Sequence, residues 1–314
     1  MSKPLLTIFT PVYNHAQYLD EYFISIMNQS YENIELIIID DASPDESVKV
    51  INKWIPKLEE RFTKVIFIPR KENKGLIYNC NEGIDLANGK YICTFASDDV
   101  MLPANIKEKV SFLEQNPEYA MVYSDCFYGD NNNQKRTKFS NVNSYFEGKI
   151  FKQLIERGNF IPAPTVVLKK DIIVNVGGYS NRYMMEDYPM WIKISHSYNI
   201  GYINKPLVFY RVSPNSLSRD IKNRELMIVS QEQLLSDIEI NYNINTKQAF
   251  NNLYSESSVF FYLNNKKLYK KYRDKIENRN FKNIFWDIMY FSGVPSKFIV
   301  NLSRVIKSIK RSLI

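Results

Sequence analysis

Four nearly continuous apolar runs fall in the first hundred residues: LLTIFT (5–10), IELIIID (34–40), KVIFIPR (64–70) and KYICTFA (90–96). A run without polar alternation reads as a strand with both sheet faces covered. Between the runs lie AQYLDEYFISIMNQ, PDESVKVINKWIPKLEE and LIYNCNEGIDLA, whose apolar residues recur at helical spacing. SPDE predicts the start of the second helix, with Ser43 as cap, Pro44 in the first turn and Glu46 closing a capping box. Strand–helix alternation of this kind restricts the chain to a mostly parallel sheet with right-handed crossovers. Ligands of such sheets bind beyond the carboxyl ends of the strands.

That rule makes the acidic residues informative. Thr10-Pro11 follows the first predicted strand, Asp40-Asp41 the second and Asp98-Asp99 the fourth. Taken singly, each acidic pair reads as a turn or helix cap, which Asp favours. Glu186-Asp187 taken alone reads as a solvated pair. Placed together at strand ends, adjacent carboxylates need something positive between them. A divalent cation bridging a diphosphate supplies it, because hard metals take oxygen ligands and share their shell with phosphates. Neither G-x-G-x-x-G nor G-x-x-x-x-G-K-[ST] occurs, so the diphosphate must be held by metal and basic residues rather than a backbone cradle.

Farther along, PANIKEKVSFLEQ (103–115) predicts a helix and YAMVYSD (119–125) a strand, followed by a polar loop at 129–148. TVVLKKDIIVNVGGYS reads as a strand, a short helix and a glycine stop. MEDYPMWIKISHSY has a helical pattern, and IGYI (200–203) and LVFYR (207–211) read as two further strands. Beyond residue 220 the pattern is helical. We expect a catalytic domain over 1–220, with a nucleotide-binding half at 1–100 and an acceptor half at 101–220, and a helical, basic extension over 221–314. Cys80, Cys93 and Cys126 lack metal-type spacing and read as reduced core thiols. The amino terminus has no signal-peptide pattern and no run reaches the length of a membrane span, which suggests a cytoplasmic protein.

The motifs TIFTPVYNHAQYLDEYFISIMNQSYENIELIIIDDASPDES, NKGLIYNCNEGIDLANGKYICTFASDDVMLP, GGYSNRYMMEDYPMWIKIS and VFYRVSPNSLS occur in order over residues 4–218. In this they resemble the family 2 inverting glycosyltransferases of GT-A fold, of the bacterial surface-polysaccharide type. The resemblance implies a Rossmann-like α/β fold and a metal-dependent transfer from a nucleotide sugar, most simply a UDP-hexose or UDP-N-acetylhexosamine. It implies Thr10, Pro11 and Tyr13 at the nucleotide base, with Asp41 bonding the base and Asn73, Lys74 and Gly75 beside it. It implies Asp98 on the ribose, and Asp99 on a Mn²⁺ or Mg²⁺ that bridges the phosphates. Asp187 would be the catalytic base, with Glu186 beside it, while Trp191 packs. Many relatives carry a His after YR; here Ser213, Pro214 and Asn215 stand there, so Arg211 or Arg219 would meet phosphate from a loop. His15 and His196 are not expected to do chemistry.

Net charge is +7, but residues 265–314 alone carry +10, leaving the rest at −3. SKFIVNLSRVIKSIKRSLI (296–314) is a basic amphipathic pattern, suited to an anionic membrane surface or to packing on its own domain. No nucleic-acid motif accompanies it. The expected acceptor is a lipid-linked or surface polysaccharide at the inner face of the cytoplasmic membrane. Two rivals are a sugar nucleotidyltransferase, disfavoured by the lack of a triphosphate loop, and a non-catalytic sugar-nucleotide-binding scaffold.

Overall fold

The computed structural model describes residues 3–129, 137–141, 144–212 and 221–292. The first crossovers run β1 (Leu6–Val12), α1 (Ala16–Met27), β2 (Ile34–Asp40), α2 (Ser47–Arg61), β3 (Lys64–Pro69), α3 (Leu76–Leu86) and β4 (Tyr91–Thr94). Next come β5 (Val100–Met101), α4 (Asn105–Gln115), β6 (Tyr119–Gly129), β7 (Thr137–Lys138), α5 (Phe151–Arg157), β8 (Val166–Lys169), α6 (Lys170–Asn175), α7 (Asp187–Ser197) and β9 (Asn199–Arg211). The sheet order is β3-β2-β1-β4-β8-β6-β9-β5, with β7 on β6. The β3-β2-β1-β4 half is parallel, as is β6 with β9, whereas β8 and β5 pair antiparallel.

Every residue of β2 is buried, and β1 is buried apart from half-buried Pro11, as the unbroken apolar runs require. Glu35 is tolerated in the middle of β2 because Thr7 Oγ1 and the Asn88 backbone and side chain all donate to it. Gly83 lets α3 lie close on β1: a Cβ there would come within 2.5 Å of the Phe9 ring. The chain leaves β1 to one side for β2 and returns to its other side for β4. That reversal opens a crevice past the carboxyl ends of β1 and β4, where loops can converge.

Two sequence expectations change. The second helix starts at Ser47, not in SPDE: Glu46 stands at the N-cap, Asp45 just before it accepts the Ser47 N–H (3.0 Å), and Ser43 turns back to Asp40. The segments IGYI and LVFYR are one strand, carried through Lys205-Pro206 by bulges against Ser124 and Asp125 of β6. The three cysteines are buried and unbonded.

The chain divides into two compact units, residues 1–154 with 159–217, and 155–158 with 218–314. Within the second, α8 (Ile221–Tyr242), α9 (Lys247–Asn264), α10 (Lys266–Arg273) and α11 (Phe281–Phe291) follow one another. Their core is Ile228, Phe261, Tyr262, Tyr269 and Tyr272, packed by Trp286 and Tyr290. Asn265 caps α10, and an Asn280–Asn283 capping box opens α11. Asn252 Nδ2 donates to the Glu156 carbonyl (2.7 Å), which fastens the four-residue piece 155–158 into this unit. The predicted helix at 296–314 lies outside the described residues, as do Ser213, Pro214, Asn215 and Arg219.

Candidate active site

At the end of β1, Thr10 is fully buried and its Oγ1 shares a short hydrogen bond with the Tyr22 hydroxyl of α1. Its side chain is therefore packed into the core. Thr10 and Pro11 lie inside β1 rather than after it, because the apolar pattern gave no sign that pairing with β2 continues to Val12. Tyr13, the next residue, is half exposed and free to offer a ring face. The turn it begins hangs on the β2–α2 loop: Asn14 N–H donates to Ser43 Oγ, His15 N–H to Ser47 Oγ and Ala16 N–H to Asp45 Oδ2.

Asp40 and Asp41 have different jobs. Asp40 closes a local turn onto Ser43. Buried Asp41 accepts the N–H of Lys74 on one oxygen and of Gly75 on the other, each at 2.8 Å, and Asn73 Nδ2 returns to its carbonyl (3.1 Å). Gly75, at φ +85°, caps α3, a conformation a side chain would strain. A carboxylate at this helix start also meets the favourable end of the dipole. Asp41, Asn73, Lys74 and Gly75 thus form one unit. Arg70, at 3.7 Å from Asp41, bonds Asn79 and pairs with Glu82, a support the sequence did not flag.

The first acidic station follows β4. Asp99 is 1% exposed and accepts the Arg211 N–H at 2.8 Å, while Asp98 is half-buried. Burial first, then the neighbouring Asp98 charge, pushes the Asp99 carboxyl well above the usual range. Of the adjacent pair, Asp99 is thus the sealed carboxylate and Asp98 the half-buried one. Arg211 departs from expectation. It ends β9, is 5% exposed, and donates to the Asp98 carbonyl (2.6 Å) and to Glu21 (2.6 Å) with its guanidinium 5.0 Å from the Tyr18 ring. Its guanidinium is engaged in holding the station, which no spacing rule foretells across 112 residues of chain.

The second station opens α7. Asp187 accepts the Tyr188 N–H (2.6 Å) and Asn159 Nδ2 (2.7 Å) on separate oxygens. Burial raises the Asp187 carboxyl despite these donors. Glu186 is pushed up to about 7, by burial and then by the charge of Asp187. Tyr210 of β9 lies between the stations: its hydroxyl is pushed up to about 12 by burial and by the carboxylates of Asp99, Asp98 and Asp187. Tyr210 and Asn159 are site residues that sequence reading missed as such. Asn159 carried no signal at all; Tyr210 stood in the quoted YR, but only its arginine drew notice.

A cleft of about 900 Å³ is walled by α3 and the stretch before the second station, including Lys74, Tyr78, Asn81, Tyr179 and Met184. Asn81 fixes that wall by donating to the Tyr179 carbonyl and accepting its N–H. His15 Nδ1 bonds Ser97 Oγ (2.7 Å) beside the first station, whereas His196 is exposed at the far end of α7. Trp191 is core.

The glycosyl transferase family 2 model matches residues 7–174. The chain belongs to that family. An uncharacterized glycosyltransferase of Methanocaldococcus jannaschii is 26% identical over 83% of this chain and 87% of its own. The amylovoran biosynthesis glycosyltransferase AmsE of Erwinia amylovora is 23% identical over 60% and 69%. Among solved structures, S. aureus TarS 1–349 in complex with UDP-GlcNAc superposes with TM-score 0.62 at 15% identity, over 86% of this chain and 80% of that one. Against a longer TarS chain the match spans 43% of its length. The mannosyltransferase PcManGT of Pyrobaculum calidifontis, in complex with GDP-Man and Mn²⁺, gives 0.60 at 14% identity, over 97% and 81%. At such identities the likeness is one of fold. This family 2 glycosyltransferase therefore has the GT-A-type mixed sheet that the sequence motifs suggested.

Proposed function

We propose that this protein transfers a sugar, with inversion, from a UDP-hexose or UDP-N-acetylhexosamine to a hydroxyl of a lipid-linked or surface polysaccharide. The observation that carries the reading is the pair of acidic stations on either side of Tyr210, one sealed against Arg211 and one half-buried at the start of α7. The amylovoran biosynthesis role named for AmsE and the UDP-GlcNAc bound to TarS support the acceptor and donor classes. Residues 1–220 would carry the reaction, with 221–314 as an accessory part.

Tyr13, with the Asp41-braced loop 73–75, receives the nucleotide, and Lys74 offers a cation beside it. Asp187 takes the acceptor hydroxyl proton as that oxygen bonds the anomeric carbon. The bond to the diphosphate breaks on the opposite face, so the centre inverts. General-base assistance of this kind contributes roughly 10²–10⁴-fold. The donor set suits a Mn²⁺ or Mg²⁺. Asp98 and Asp99 are hard oxygen ligands, and among the described residues no group of three His, Cys, Asp or Glu forms a self-sufficient site, so phosphate oxygens must complete the shell. Held at Asp99 with Asp98 beside it, the ion would neutralise charge on the departing diphosphate.

The test is calorimetric titration of UDP with Mn²⁺ on wild type, Asp98→Asn and Asp99→Asn, with GDP and CDP as controls. Metal-dependent UDP binding that both variants lose supports the reading; metal-independent or absent binding refutes it. We also propose that the carboxy-terminal segment 296–314 seats the protein on anionic lipid. Among the described residues no helix is long and apolar enough to cross a membrane. Ile284, Ile288 and Phe291 form an exposed stripe on α11, just ahead of that segment. Equal flotation with anionic liposomes by the full chain and by one ending at Ser292 would reject the segment's role.

A further inference from the structure

We infer that Asn159 is the positioning residue that fixes the Asp187 carboxylate for proton abstraction, an inference that rests on Asp187 being the base. Asn159 follows α5 in an irregular stretch, 28 residues before its partner. Its Oδ1 accepts the Ile161 N–H (3.2 Å), so the amide has one sensible orientation and turns Nδ2 toward Asp187 Oδ2 at 2.7 Å. The other carboxylate oxygen takes the Tyr188 N–H at 2.6 Å. With a donor on each oxygen, the carboxylate plane cannot swing, and the remaining lone pairs keep one direction.

The choice of donor matters. A lysine or arginine here would neutralise the charge that makes Asp187 basic. A hydroxyl would rotate and offer a lone pair instead. An amide NH₂ held at its other end does neither. The titratable groups around Asp187 are Glu186 next to it in the chain, Tyr188 after it, Tyr179 from the preceding loop and Tyr210 from β9. Among these four, Glu186 alone titrates near neutrality, and it acts against ionised Asp187. Asn159 and the Tyr188 N–H act the other way, favouring the charged form against burial. Asn159 is exposed and can be changed without opening the core.

The experiment compares full-length wild type, Asn159→Ala and the isosteric Asn159→Asp. Carbon-13 NMR of carboxyl-labelled aspartate reads the Asp187 midpoint, assigned with Asp187→Asn. Release of UDP from UDP-N-acetylglucosamine is followed across pH, and thermal melting is recorded. We expect the midpoint to rise by about one pH unit in Asn159→Ala and further in Asn159→Asp. The acid limb of the rate should move with it, kcat at pH 7 should fall about tenfold, and donor KM and Tm should stay put. A wild-type midpoint overturns the inference, whether Tm falls or holds. If Asp187→Asn keeps its turnover, the base assignment itself fails, and the NMR midpoint still judges Asn159.

Discussion

The two acidic stations are built on opposite plans. Asp98-Asp99 is closed from behind: Asp99 is sealed, and Arg211 ties it through its own N–H and through the Asp98 carbonyl to α1. Glu186-Asp187 is half-buried, and Asp187 is held by the Tyr188 N–H and by an exposed asparagine. A carboxylate serving a fixed cation gains from rigidity, since its partner approaches from one side. A carboxylate that must accept and release a proton gains from a lone pair left free and a charge left uncompensated. The sealed station also carries a cost, because burial and like charge oppose its ionisation.

The comparison can be broken most severely at the second station. Asp187→Asn keeps the shape but cannot take a proton, and turnover should fall by roughly 10²–10⁴-fold with UDP affinity by calorimetry unchanged. At the closed station, Arg211→Ala should lower stability by about 2 kcal/mol in urea unfolding, because a buried stem and a donor to Asp98 are lost together. Exposed Glu21 is not stranded by that change, and metal-dependent UDP binding should weaken with it.

Asp99→Asn should separate function from stability. The folded carboxyl sits above its unfolded value, so the folded chain holds more protons, and stability falls as pH rises through the carboxylate range. Removing the charge should therefore raise Tm at pH 7 by a few degrees while abolishing metal-dependent binding. At the second station, Glu186→Gln removes the negative neighbour of Asp187. The acid limb of the pH–rate profile should move down by up to about one unit. A limb that stays or rises means the two carboxyls do not act on each other as a pair.

Behind the closed station, Lys109 of α4 is fully buried, its Nζ meets no partner, and burial lowers its pKa to about 8. The folded chain binds fewer protons than the unfolded one between there and the usual lysine value, so this lysine makes stability rise with pH in that window. Lys109→Met should remove that slope in urea titrations at pH 8 and 10, a difference of up to about 3 kcal/mol.

Much of this was legible because burial leaves a periodic trace. β1 to β4 and α1 to α3 were written in unbroken apolar runs and helical spacing, and the strand-end rule then located both Asp41 and Asp98-Asp99. What escaped was polar and non-local. Sequence does not say that Tyr22 lies across from Thr10. The partners of Arg211 were hidden too, because a strand-end arginine reads the same whether it faces solvent or a buried carbonyl. Which of two adjacent aspartates faces outward depends on the twist after β4, and Asn159 sits in a stretch with no period to read. Family likeness supplied the chemistry, and the fold supplied the directions.

The four residues 155–158 are spoken for by a part of the chain not yet made when they leave the ribosome. Asn252, which fastens them at Glu156, follows 96 residues later. At about 5–20 residues per second, the nascent chain waits roughly 5–20 s before the Glu156 carbonyl can meet Asn252. A chaperone that holds briefly is better matched to that interval than a fast folding nucleus. Any shortened version ending near residue 220 makes the interval permanent, so poor yield from such a piece would reflect its biosynthesis rather than its catalytic competence.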